Sequence, residues 1–483
     1  MLVAQLGSST ELLRACGLSS SLHLDDGEDV HSALHNRWLP AARVCSLSAA
    51  DEYFFSTESA SAPISPQNEA AALSLLLHHV QNDDCKAAVR AACSALPVGG
   101  GSGTVIDHQL VEWSRARGVV TAMCPATFGD DRLRGCAAAR ALSPGEVVAE
   151  VPSSAVVTVA NARASARMQP VLQALGESLS DDLALILWTM MERADAQSEY
   201  EPLLQLNAGP LFTALTLPDA ALSMLDGTSA HAEVLQLRHA ARQQFQATLP
   251  RLCEELPQVF CPASAFGYSE YVSAVELWQA YGMQVVMPGT TEPQTVLMPM
   301  ACLLNHSCFT PHIVRFSTAD ADGVFRLRTV RPCDQGGQVF LSYGALTNAQ
   351  LLTFYGFAVA GNPCDNVEFA MEIPDEQEVK HMLRPACPLP HRLLAALRML
   401  YSDNDTGDSA GAGLSAESDI AALSTLSDLV AALQQGLRPV HSSEATHPAG
   451  KHCALLVASQ RDILVSTARE CSRQLKAVGV INE

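Results

Sequence analysis

The chain has 483 residues, 48% of them hydrophobic, with 51 acidic against 30 basic side chains and a formal net charge of -21. That length leaves room for roughly two to four domains. The acidic balance argues against a general nucleic-acid binder, which needs basic patches to meet phosphates, and it favours a basic substrate surface through long-range attraction.

No apolar run is long enough to span a bilayer, so no membrane partner is expected. The 15 cysteines include no Cys-x-x-Cys or Cys-x-Cys pair. That spacing argues against a structural zinc site, and no metal is expected. With no secretory signal, reduced thiols in an intracellular protein are the simplest reading.

Residues 1–20 hold one basic side chain, Arg14, and acidic residues occur from Glu11 to Asp29. A cleavable targeting peptide has the opposite character. A cytoplasmic or nuclear protein is expected, with a plastid or other organelle left open. Residues 70–96 read as an amphipathic helix through Leu73, Leu76, Leu77, Val80, Val89 and Ala92. The run Pro-Val-Gly-Gly-Gly-Ser-Gly at 97–103 reads as a flexible linker. The first boundary is set there, with a helical extension and linker over 1–104.

Residues 108–118 predict a short helix closed by glycine. Residues 132–152 predict strand, turn at Ser143-Pro144-Gly145, strand. Residues 181–193 form a helix pattern with an acidic start. The whole block 161–265 is expected to be helical, including a long stretch over 231–249, and another helix is expected over 269–284. Residues 324–330 and 338–342 read as strands, and 348–354 as a short helix. Residues 375–380 begin a charged, helix-compatible tail. Residues 401–418 are poor in hydrophobics and rich in Gly, Ser and Asp, so a disordered insertion is expected there. Helices near 390–400, 420–433 and 452–475 would make a small C-terminal bundle, within a helical region over 371–483.

The most informative stretch is 296–357. An apolar run from Leu297 to Leu304 ends in Asn305-His306-Ser307, and two Tyr-Gly pairs, Tyr343-Gly344 and Tyr355-Gly356, flank a helical segment. The run reads as a buried strand whose end meets something polar, because buried amides and imidazoles need partners. A phenol in a mostly apolar wall can orient an incoming amine or face a cation. Pro299, Asn305, His306, Gly337, Tyr343, Gly344, Asn348, Leu351, Tyr355, Gly356, Phe357, Asn362 and Pro363 occur in a fixed order. In that order they resemble the SET domain, in the branch typified by the Rubisco large-subunit methyltransferase, which includes the actin-histidine methyltransferase.

The resemblance implies an α+β fold: a SET-domain β-fold over 105–370 with a helical insertion at 161–265, an N-terminal helical extension and a small C-terminal helical domain. It implies S-adenosyl-L-methionine as cofactor and protein-lysine N-methylation of a non-histone protein as the activity. Tyr343 is the implied catalytic phenol. Arg134 and Gly135, in a loop similar to the family's Gly-x-Gly, would lie at the cofactor with Asn305, His306 and Tyr355. The partner is a protein presenting a lysine, met by a monomer. The chain departs from the pattern in three ways: Leu133 replaces a glycine, Cys302 replaces an acid, and no Arg or Lys lies between Arg251 and Arg315. Histidine methylation, and a catalytically silent SET module used for binding, stay open. A Cys-His hydrolase on His306 and Cys308 is disfavoured, since residues so close at a strand end rarely reach each other as nucleophile and base.

Overall fold

The structure is a computed structural model. It describes residues 9–477 except 20, 21, 23, 25–27, 56–60, 81, 97–100, 107–108, 130–131, 207–210, 315–317, 372–378, 402–415 and 442. The chain divides into two compact units: residues 1–48, 56–211 and 238–345 form the first, and 49–55, 212–237 and 346–483 the second.

The first unit is built on strands β1 (Thr104–Val105), β2 (Val120–Thr121), β3 (Met123–Phe128), β4 (Leu133–Ala138), β5 (Val147–Pro152), β6 (Met283–Val286), β7 (Pro293–Val296), β8 (Asn305–His306), β9 (Val324–Arg328) and β10 (Gln338–Leu341). They form a five-stranded sheet in the order β1-β3-β4-β10-β8, a three-stranded sheet β2-β5-β9 and the pair β6-β7. The strands expected within 132–152 are β4 and β5, but they do not pair with each other; each joins a different sheet. Alternation fixes a strand's faces but not its partner.

The end of the glycine-rich linker is part of this sheet. Gly103 N donates to the Gly336 carbonyl at 2.9 Å, and Gln338 N donates to the Gly101 carbonyl at 3.2 Å. Residues just before β1 thereby bond those leading into β10, closing the strand circuit on itself. The Phe128 ring fills the closed end. A Cβ on Gly103 would stand 2.4 Å from it, so only glycine fits.

Helices cover this core. The stretch expected as one helix over 70–96 is two, Pro66–His79 and Asp83–Ser94, because the Asn82 side chain caps the second. The expected helix at 181–193 spans Asp181–Ala194, started by the Ser180 cap. It is bound to the Tyr268–Tyr281 helix by Trp278 Nε1 donating to Thr189 Oγ1 at 2.8 Å. That second helix stops at Gly282, earlier than expected, and Gln284 lies in β6. The expected helix at 231–249 runs longer, Ser229–Glu255.

In the second unit, β11 (Val367–Met371) and β12 (Val379–Leu383) form an antiparallel pair. Val379 and Lys380, expected in a helical tail, are therefore in a strand; 375–378 lie outside the described residues. Cross-strand pairing, invisible locally, overrides the helical propensity of charged residues. The C-terminal helices span His391–Met399, Ala416–Gly436 and Pro448–Ala477. Of the insertion expected to be disordered, 402–415 lie outside the described residues, and Ala416 to Ser418 open a helix.

The motif asparagines Asn348 and Asn362 serve packing in this unit. Asn348 is fully buried. Its amide donates to Asp365 at 2.8 Å and to the Val359 carbonyl at 3.1 Å, while its oxygen accepts from Val359 N at 2.8 Å. Asp365 also accepts from Ser459, and burial pushes its carboxyl pKa up. Asn348→Ala leaves the buried Asp365 and the Val359 peptide short of partners. A loss of about 2–4 kcal/mol in urea denaturation is expected. A loss under about 0.5 kcal/mol would contradict this role.

Candidate active site

The apolar run before Asn305 is not a strand. Met300 has φ +64°, and Ala301 N donates to the Pro299 carbonyl at 2.8 Å. These make a γ-turn, a conformation that costs energy and persists only where packing enforces it. A short 3-10 turn, Ala301–Leu303, follows. Cys302, where the resemblance expects an acid, is buried and accepts from Met298 N at 3.1 Å. Burial pushes its thiol to about 12, so it stays neutral and braces the turn.

The turn delivers Asn305 and His306 into β8, parallel to β10, opposite Phe340 and Leu341. Asn305 Nδ2 then donates to the Arg134 carbonyl on β4 at 2.8 Å. A Cβ on Gly135 would stand 2.6 Å from Asn305 Nδ2, 3.0 Å from Gln338 Nε2 and 3.3 Å from the Phe128 ring. Two amides thus close on one glycine backbone. Gln338 Nε2 is buried and lacks a hydrogen-bond partner among the described residues.

His306 and His312 frame β10. Tyr343 N donates to His306 Nδ1, and Phe340 N donates to His312 Nδ1, each at 3.1 Å. A ring nitrogen that accepts carries no proton, so both imidazoles are held neutral. Burial lowers both pKa values from the ordinary 6.5 to about 4, with Arg331 adding to the effect at His312. The Tyr343 ring lies 5.1 Å from that of His306, and its hydroxyl donates to the Leu304 carbonyl at 2.7 Å. That bond fixes the phenol oxygen beside the imidazole.

Arg134 donates to the Leu206 carbonyl and also hydrogen-bonds Tyr281, the last residue of its helix. Burial pushes the Tyr281 phenol up, and the guanidinium opposes it.

Of the residues implied by sequence, Arg134, Gly135, Asn305, His306 and Tyr343 converge in the first unit. Tyr355 belongs to the second. It ends the Asn348–Tyr355 helix, its ring lies 6.3 Å from that of Phe357, and burial raises its pKa. Gln338, Phe128 and Tyr281 were not singled out. Tyr281-Gly282 repeats the Tyr-Gly signal of the two pairs that were; Gln338 carried none. Among the described residues no cluster of His, Cys, Asp or Glu could hold a metal ion, and no helix is long and apolar enough to cross a membrane.

The family model of the SET domain matches residues 133–344, a span that contains Arg134, Gly135, Tyr281, Asn305, His306, Gln338 and Tyr343. The fold of this span is the SET fold. It is 25% identical over 265 residues to SET domain-containing protein 4 of Mus musculus, across 53% of this chain and 59% of that protein. It is 27% identical over 231 residues to N-lysine methyltransferase SETD6 of Rattus norvegicus, across 46% of this chain and 48% of that protein. The chain thus spans about half the length of these relatives. Its fold is that of the SET domain of LSMT solved with lysine and AdoHcy, at TM-score 0.59 and 15% identity over 77% of this chain and 92% of that one. The α+β architecture expected from motif order is the one found.

Two measurements probe the geometry of this site. Unfolded histidine protonates near pH 6.5, whereas His306 and His312 resist protonation until about 4. Their stabilising effect is complete above pH 6.5 and lost as pH falls towards 4, on the order of 3 kcal/mol for each ring. Denaturation midpoints should fall across that window, and His312→Asn should reduce the slope by about one proton. A flat profile would contradict the neutral assignment. Separately, Gly135→Ala should push Asn305 off the Arg134 carbonyl and weaken S-adenosylmethionine binding at least about 10-fold in calorimetry. Unchanged affinity would detach Gly135 from the site.

Proposed function

We propose that the protein is an S-adenosyl-L-methionine-dependent protein-lysine N-methyltransferase acting on a non-histone protein. What carries the reading is the Tyr343 phenol, tied to the Leu304 carbonyl at 2.7 Å beside His306. The residues around it fit the cofactor chemically. The Asn305 and Gln338 amides both sit against the Gly135 backbone, and the buried Gln338 N–H lacks a partner among the described residues. Arg134, Gly135, Asn305 and His306 would hold the cofactor, which when bound supplies a methyl group on a sulfonium.

The chain's own contribution is positioning. Tyr343 accepts an N–H from the substrate amine and aims its lone pair, and alignment of the reacting atoms carries much of the rate. The lysine amine, with an ordinary pKa of about 10.4, must lose its proton, and desolvation in a narrow apolar passage favours that neutral form. His306, held neutral, adds no positive charge to oppose the donor. Support for Tyr355 is its place in the sequence motif alone, and Tyr355→Phe tests it separately. The relatives and the LSMT structure agree with a lysine-bearing protein as substrate, and the net charge of -21 suits a basic target surface. A monomer in the cytoplasm or nucleus completes the proposal.

Calorimetry with S-adenosylmethionine, joined to an assay on a proteome extract with methyl-labelled cofactor, tests it. Tyr343→Phe should keep cofactor affinity within about threefold and lower the methylation rate at least about 100-fold. Label is expected in lysine after hydrolysis of the product. Label in histidine would replace the target residue, and failure of the wild type to bind cofactor at millimolar levels would leave a SET fold used for binding.

A further inference from the structure

We propose that Arg134 and Tyr281 together form the seat for the carboxylate of the bound methyl donor, a role that rests on the reading of the site just given. The donor is an amino acid joined through sulfur to a nucleoside, so a desolvated carboxylate must find a countercharge. The sequence supplies no Arg or Lys from 252 to 314. The Tyr268–Tyr281 helix, β6, β7, the γ-turn and β8 therefore bring no cation of their own. Arg134 comes from the opposite wall, on β4. Its carbonyl is already tied to Asn305 at 2.8 Å, so its backbone is fixed within the cluster.

The guanidinium is aimed rather than loose. It reaches the Leu206 carbonyl and the Tyr281 phenol. It carries five N–H donors, more than these two acceptors use, in a planar fork that matches a carboxylate. Because Arg134 donates to the Tyr281 oxygen, the phenol's own proton remains to be given to an anion. Arg132, two residues earlier, is exposed and has no such framing. Beside Arg134, the Gly135 backbone is closely approached by the Asn305 and Gln338 amides, so the cluster's polar groups gather next to the guanidinium's own strand.

The two halves of the ligand are separable by experiment. S-adenosylhomocysteine carries the amino-acid group; 5′-methylthioadenosine has the same nucleoside thioether without it. Calorimetry should find wild type binding the first more tightly than the second by about 10- to 100-fold, the range of a charge-assisted pair. Arg134→Met should abolish that preference while holding methylthioadenosine affinity within about threefold of wild type. Tyr281→Phe should lose part of the preference, and Arg134→Lys should retain part. Equal weakening of both ligands in Arg134→Met, or an intact preference, would overturn the assignment. If Arg134→Met does not fold, the lysine and Tyr281→Phe variants give the same comparison. Should wild type bind neither ligand, the reading of the site itself fails and this inference goes with it.

Discussion

The site depends on a backbone N–H given to an imidazole. Tyr343 N donates to His306 Nδ1, and Phe340 N donates to His312 Nδ1. These bonds exist only while both rings are neutral, and burial keeps them so. Through them β10 is held against the segment that carries Asn305, and the last residue of that arrangement is the Tyr343 phenol. The geometry of the candidate site is thus a by-product of satisfying buried peptide groups, in a place where a protonated ring would break the fold first.

The γ-turn at Met300 belongs to the same economy of shape. It turns the chain sharply enough for Asn305 to reach back to β4 and bond the Arg134 carbonyl. Cys302 closes that turn with its sulfur. An acid there would bring charge to a buried position; the thiol brings none. The positive charge of this region comes instead from Arg134, on a different strand.

Much of this was legible in the chain. The ordered residues from Pro299 to Pro363 pointed to the fold, and five implied site residues meet in one unit because β8 pairs in parallel with β10 and Asn305 bonds the Arg134 carbonyl on β4. What escaped was long-range. The run 297–304 has strand composition, yet among the described residues only Leu297 makes a bridge, to Val157, before the chain turns at Met300. Val379 and Lys380 became strand because β11 was available. Gln338 matters only because Gly135 lies across from it, and no local pattern announces such a meeting. Asn348 and Asn362 read as motif residues but hold a loop and a buried carboxylate.

The closed strand circuit has a consequence for where this protein can be cut. Residues 101–103, which look dispensable as Gly-Ser-Gly filler, supply the partners of Gln338 N and the Gly336 carbonyl. A fragment beginning at Thr104 would leave the approach to β10 as a bare edge, beside an aromatic ring that has lost its cover. Exposed edges of that kind recruit other chains. Solubility of the excised domain is therefore governed by three small residues that carry no chemistry.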